Sequence, residues 1–164
     1  MKSFPDLSKT IPVDLLKGET PEETIELRKM SQDARNYITG FGWCKKIKES
    51  FYGFGIGGVF GVFLFNIEPS DEAVDEWVWV IVGDLPPAYI AAIDAPNPAC
   101  ALDAYIGAME EWIEAARLGS PVDDLIPVNV PATLENALML KSRLEFLDEK
   151  VLSQYTEDIE SGQT

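Results

Sequence analysis

Four carboxylates, Asp71, Glu72, Asp75 and Glu76, fall within six positions just ahead of an apolar run, and a fifth, Asp84, follows that run. Grouped carboxylate oxygens are what calcium and magnesium take as ligands. The spacing contains no D-x-D-x-[DN]-G series, so a solvated acidic loop or an acidic contact surface is the simpler reading of these four. Asp84 stands between Gly83 and Leu85-Pro86-Pro87. It is either a carboxylate set at a sheet edge for catalysis or recognition, or a turn aspartate that accepts neighbouring N–H groups. Glu110, Glu111 and Glu114 lie near the end of an expected helix, where the macrodipole disfavours negative charge by roughly some tenths of a kcal/mol each. A helix face that accepts this cost serves a partner or is simply solvated. Trp77 and Trp79 project to one face of the strand between these acids, and tryptophan is enriched in interface hot spots. Whether the two rings form an exposed patch or lie buried under an N-terminal arm is left open at this level.

Other chemistries are removed by composition. The chain has no histidine, which excludes Ser-His-Asp and Cys-His nucleophiles, an imidazole base and histidine metal ligands. Cys44 and Cys100 stand 56 positions apart without a CxxC, so neither a zinc site nor a disulfide framework is expected. The glycines Gly53, Gly55, Gly57, Gly58 and Gly61 do not match G-x-G-x-x-G, and no helix follows them to hold a phosphate. They read instead as a hairpin turn and as places of close packing. No catalytic residue, metal or cofactor is therefore assigned, and the expectation leans away from an enzyme. A small carboxylate-based or metal-dependent hydrolase using Asp84 with the carboxylates at 71–76 is the alternative, and it requires those groups to converge on one pocket; a homo-oligomeric structural protein is a third reading.

Charge adds a direction. No lysine, arginine or histidine occurs in the 68 residues from Glu49 to Ala116, which hold 12 carboxylates and most of the apolar sequence. Residues 1–58 carry nine Lys/Arg and eight Asp/Glu, whereas residues 59–164 carry four and 20, for a net charge of −15. Such a field attracts basic partners and opposes nucleic acid and anionic membranes. Lys45, Lys46 and Lys48 are the one basic cluster and read as guards of an edge strand. The N-terminus lacks an apolar leader, and the longest apolar run is short and glycine-rich, so a cytoplasmic setting is expected.

These residues need a scaffold, and the spacing predicts a single α+β domain over residues 19–155, with an extended arm at 1–18 and a polar, frayed tail at 156–164. In the arm, Phe4, Ile11, Val13, Leu15 and Leu16 are expected to pack on the body. Thr20-Pro21-Glu22-Glu23 is a capping box with proline at the first helical position, and Leu27, Met30, Ala34, Tyr37, Ile38 and Phe41 continue at helical spacing. Three strands follow, Trp43–Phe54, Val59–Ile67 and Glu76–Val82, the first two joined by a Gly57-Gly58 turn. Short connections make this three-stranded sheet antiparallel. Asn97-Pro98 opens a second helix that ends at Gly119, and Thr133 caps a third with the stripe Ala137, Leu140, Leu144, Leu147 and Val151. The expected order is α-β-β-β-α-α.

The run Trp77-Val78-Trp79-Val80-Ile81-Val82-Gly83-Asp84-Leu85-Pro86-Pro87-Ala88-Tyr89-Ile90 resembles the hallmark of a family of small acidic bacterial proteins of uncharacterised function. Its members pair a Trp-rich strand ending in G-D-L-P-x-x-Y with a preceding aromatic strand. A helix ending near a tryptophan follows in that family, a place that Ala101–Ile113 with Trp112 fits. The resemblance covers about residues 59–115, with Trp43-Cys44 as counterpart of a W-C pair, and it implies no catalytic residues. In size and charge the chain also resembles immunity proteins of bacterial toxin systems. The expected role is non-enzymatic binding of a basic protein such as a toxin domain, steered by Asp71, Glu72, Asp75, Glu76, Asp84, Glu110, Glu111 and Glu114. Trp77 and Trp79 would anchor that contact if exposed, and the same patch would serve a homodimer.

Overall fold

A computed structural model of the chain describes residues 5–162. Phe4 and the last two positions of the tail lie outside the described residues. The elements run β1 (Ile11–Pro12), α1 (Pro21–Thr39), β2 (Cys44–Ile56), β3 (Phe60–Pro69), β4 (Trp77–Gly83), β5 (Ala88–Ala91), α2 (Pro98–Leu118), α3 (Leu134–Phe146) and α4 (Thr156–Gly162). One antiparallel sheet takes the strands in chain order, β1-β2-β3-β4-β5. The α+β class holds, but the expected three-stranded sheet and α-β-β-β-α-α order are corrected by a strand at each edge and a fourth helix. Among the described residues no helix is long and apolar enough to cross a membrane.

Strand alternation explains the layering. On β3, Phe60, Val62 and Leu64 join one buried cluster, with Trp77, Trp79 and Ile81 of β4 and the inner faces of α2 and α3. Phe63, Phe65 and Ile67, with Val78, Val80 and Val82, join a second cluster against Leu27, Met30, Ala34 and Ile38 of α1. Helices therefore cover both faces of the sheet, and β3 and β4 are apolar on both sides for that reason. Each large side chain buried in this way stabilises the fold by about 1.5–3 kcal/mol.

Local signals set the helix ends. Thr20 Oγ1 accepts from Glu23 N at 3.1 Å, as a capping box requires. The Glu23 carboxylate reaches one residue further out than expected, accepting from Glu19 N at 2.8 Å, and its second oxygen accepts from Gly57 N at 3.2 Å. One side chain thus ties the start of α1 to the β2–β3 turn. Asn97 caps α2 by accepting from Cys100 N at 2.9 Å, and Thr133 caps α3 by accepting from Asn136 N at 3.1 Å. All five residues of the predicted third-helix stripe are buried, Leu147 and Val151 through a π-helical continuation of α3 over Leu147–Val151.

The arm and tail are more structured than their composition indicates. Ile11 and Pro12 pair with Tyr52 and Phe51 of β2. Leu16 is fully buried, while Leu15 points to solvent. The expected frayed tail instead forms α4, because Asn97 Nδ2 donates to the Asp158 carbonyl at 2.9 Å and Ile159 packs on the α2 side of the core. Lys9 of the arm pairs with the Asp158 carboxylate at 3.2 Å.

Candidate functional site

The acidic loop before β4 is tied inward over much of its length. Asp71 accepts from Ala73 N at 2.7 Å in a local turn. Asp75 accepts from Trp77 N at 2.9 Å and, through its other oxygen, from Ile93 N at 3.0 Å, so it fastens the loop to the segment after β5. Glu76 pairs with Lys48 at 3.6 Å. Asp71 and Glu72 are exposed. Trp77 and Trp79 are corrected from candidate anchors to core residues, at 8% and 0% exposure. The Trp79 indole donates to the buried Ala95 carbonyl at 2.7 Å. The valine face does meet a helix, as considered from the sequence. The tryptophan face meets α2 as well, which the strand pattern alone does not reveal.

Asp84 lies at the other end of β4. Gly83 leaves the strand at φ +144°, where an added Cβ would collide with the Val59 carbonyl oxygen, so no larger residue fits there. This turn aims Asp84 at α3, where Arg143 donates to its Oδ2 through Nη2 at 3.2 Å and Nε at 3.3 Å. Asp84 is thus neither a self-capped turn residue nor a free carboxylate. With a 71% exposed carboxylate the pair contributes about 0–1 kcal/mol. Tyr105 Oη donates to the Pro86 carbonyl at 2.6 Å and holds the Leu85-Pro86-Pro87 segment on α2. The strand separates Asp84 from the loop at 71–76 by about 25 Å, at roughly 3.3 Å per residue. The convergence that a hydrolase built on both would require is absent. Among the described residues no group of three or more Cys, Asp and Glu side chains is placed to hold a metal.

The helix carboxylates behave differently. Glu110, Glu111 and Glu114 are exposed on α2. Glu110 and Glu114 line a groove of about 430 Å³ with Glu145 of α3 and Asp148 of its π-helical continuation, together with Ile113 and Leu144. Its two cations are occupied, Arg117 by Glu114 at 2.8 Å and Lys141 by Glu145 at 4.0 Å. Elsewhere on α2, burial and, less strongly, Asp148 push the Asp103 carboxyl above its ordinary value. The eight candidate carboxylates therefore do not form one surface: the loop, Asp84 and the α2 acids occupy separate places.

Two features escaped the sequence reading. Leu134, Leu138, Met139 and Phe146 of α3 are between 41% and 55% exposed. Leu134 and Leu138 share a helix flank with Lys141 and Glu145, by the i, i+3, i+4, i+7 spacing, so an apolar strip borders the acidic groove. Their departure from the buried stripe of α3 was the available signal. Tyr37, Phe41, Trp43 and Tyr89 form a half-buried aromatic cluster with ring centroids 5.0–5.2 Å apart. No family model, no curated protein and no solved structure matches the chain.

Proposed function

We propose that the protein is a non-enzymatic acidic binding protein of the immunity type, which neutralises a basic toxin domain by protein–protein contact, and that it belongs to the family sharing the Trp-rich strand and G-D-L-P turn. The observation that carries this reading is the outer face of α2 and α3. There the groove carboxylates Glu110, Glu114, Glu145 and Asp148 border the exposed leucines of α3. Clustered carboxylates steer a basic partner and set its orientation, and apolar anchors beside them supply the slow step of release. Glu111, Asp71, Glu72 and Asp84 add to the long-range field. Leu134 and Leu138 take the anchoring role first given to the tryptophans. A second copy of the chain would also cover these leucines, but each copy carries a net charge of −15, and their repulsion favours a basic partner instead.

The test captures partners from the source cell at low salt, identifies them by mass, and measures affinity as salt is raised. The expected outcome is one basic partner whose affinity falls steeply with salt and drops at least about tenfold in the Leu134→Ser, Leu138→Ser double variant, on the order of 1.4 kcal/mol. An affinity indifferent to salt would sink the steering argument. Light scattering at two concentrations separates this role from homodimerisation.

A further inference from the structure

A cavity of about 320 Å³ opens between the turn after β4, α2, α3 and the loop at 129–130. Three polar contacts hold its walls in place. Tyr105 Oη donates to the Pro86 carbonyl at 2.6 Å, Asn136 Nδ2 of α3 donates to the Pro131 carbonyl at 2.9 Å, and Arg143 pairs with Asp84 at 3.2 Å. Pro86, Pro87, Val130 and Met139 give an accessible apolar lining, Val130 and Met139 being 42% and 49% exposed. Asp84 and Arg143 are the charged residues at the cavity, and they are paired with each other.

One polar group here has no use in the fold. Trp112 of α2 lines the cavity, although only 1% of it is exposed. An indole nitrogen is a donor only, and a buried indole usually finds an acceptor, as Trp79 does in the Ala95 carbonyl. The Trp112 N–H donates to no acceptor among the described residues. Among those residues the one side-chain polar atom both sealed from solvent and unpaired is Asn66 Oδ1, so the Trp112 nitrogen is not sealed. The small part of the ring that solvent reaches therefore includes the N–H, and the cavity is where it is reached. An unpaired donor beside apolar walls, with no free charge, suits one acceptor oxygen on an uncharged apolar body. The volume is near the lower end of the roughly 300–1,000 Å³ of ligand pockets, which suits a compact one.

We infer that this cavity binds a compact uncharged molecule bearing a carbonyl group, its oxygen accepting from Trp112 Nε1 and its hydrocarbon lying against Pro86, Pro87, Val130 and Met139. Anions are disfavoured, because Arg143 is already taken by Asp84 and the chain carries a net charge of −15. The site lies on the Met139–Arg143 flank of α3, whereas Leu134 and Leu138 share the flank of Lys141 and Glu145. It therefore does not depend on the function proposed for that other face.

Titration of the ¹⁵N-labelled full chain tests this, followed at the Trp112 indole N–H, one of four tryptophan indole signals, assigned through its contacts within α2. The probes are cyclohexanone and cyclohexanecarboxamide. Of the controls, cyclohexanecarboxylate keeps the body but adds a charge, and acetamide keeps the carbonyl but lacks the body. At least one probe is expected to shift the Trp112 indole signal saturably. Both controls should bind at least about tenfold more weakly, and Met139→Glu, a change at a half-exposed position, should weaken the probe by about tenfold or more. The inference is overturned if neither probe saturates by about 10 mM, if a saturating probe leaves the Trp112 indole signal unmoved, if either control binds as well as the probes, or if a folded Met139→Glu chain binds unchanged. The comparison of probes with controls uses the unaltered chain, so it decides the matter even where the variant misfolds.

Discussion

Replacing Trp79 by phenylalanine separates a core tryptophan from a surface anchor. The indole is fully buried between β4 and α2, and its N–H donates to the buried Ala95 carbonyl at 2.7 Å. Phenylalanine removes the donor and leaves that carbonyl unsatisfied, which costs about 1–3 kcal/mol. It also leaves a void on the order of 40 Å³, worth about 1 kcal/mol at roughly 24 cal/mol per Å³. The sum, about 2–4 kcal/mol, is a large share of the roughly 5–15 kcal/mol that a domain has. Urea unfolding followed by far-ultraviolet circular dichroism reads it without relying on tryptophan emission. The midpoint should fall while the slope m stays constant. A loss below about 0.5 kcal/mol, the range of ordinary surface changes, would refute the placement of this ring and return it to the surface.

Two further outcomes follow from the packing around α2. Asn97→Ala removes both the cap on Cys100 N and the tether to the Asp158 carbonyl. Its cost should be about 1–2 kcal/mol, as for a lost N-cap, with faster hydrogen exchange confined to α4 and the first turn of α2. For Asp103, burial and then Asp148 raise the carboxyl above its ordinary value of 3.8. The stability linked to its proton is fully present below that ordinary value and lost as pH rises through the folded one. Asp103→Asn should therefore melt higher than the natural chain at neutral pH, with the gap closing near about pH 3. A gap that widens toward acid would contradict the direction.

What the sequence disclosed was mostly local. The Thr20-Pro21-Glu23 cap, the Asn97 and Thr133 caps and the buried stripes of the three long helices each rest on residues within a few positions of one another, and the structure repeats them. The alternation of Val78, Val80 and Val82 against Trp77, Trp79 and Ile81 was equally legible. Which side of the sheet each helix takes was not, because that depends on how distant connections pass over the strands, and so the tryptophans looked available. Strand β5 was missed since Ala88-Tyr89-Ile90-Ala91 follows two prolines and has little strand character of its own; it forms by pairing with Val78 to Ile81. The polar tail orders through Asn97 and Lys9, residues far from it in sequence. The candidate surface changed for the same reason: exposure of Leu134 and Leu138, and the coupling of Asp84 to Arg143, are properties of packed elements.

The uncrossed order of the sheet has a consequence for how the chain reaches its fold. From β2 to β5 every pairing joins strands adjacent along the chain, so the hairpins close small loops and need not wait for α2 or α3. A sheet assembled ahead of its helices presents Phe63 and Phe65 on one side and Leu64 and Trp79 on the other, both sides sticky and both uncovered. Chains caught at that stage still carry 15 net negative charges, and mutual repulsion keeps them apart. The acidity of the chain thus protects it from itself while its two apolar faces are bare.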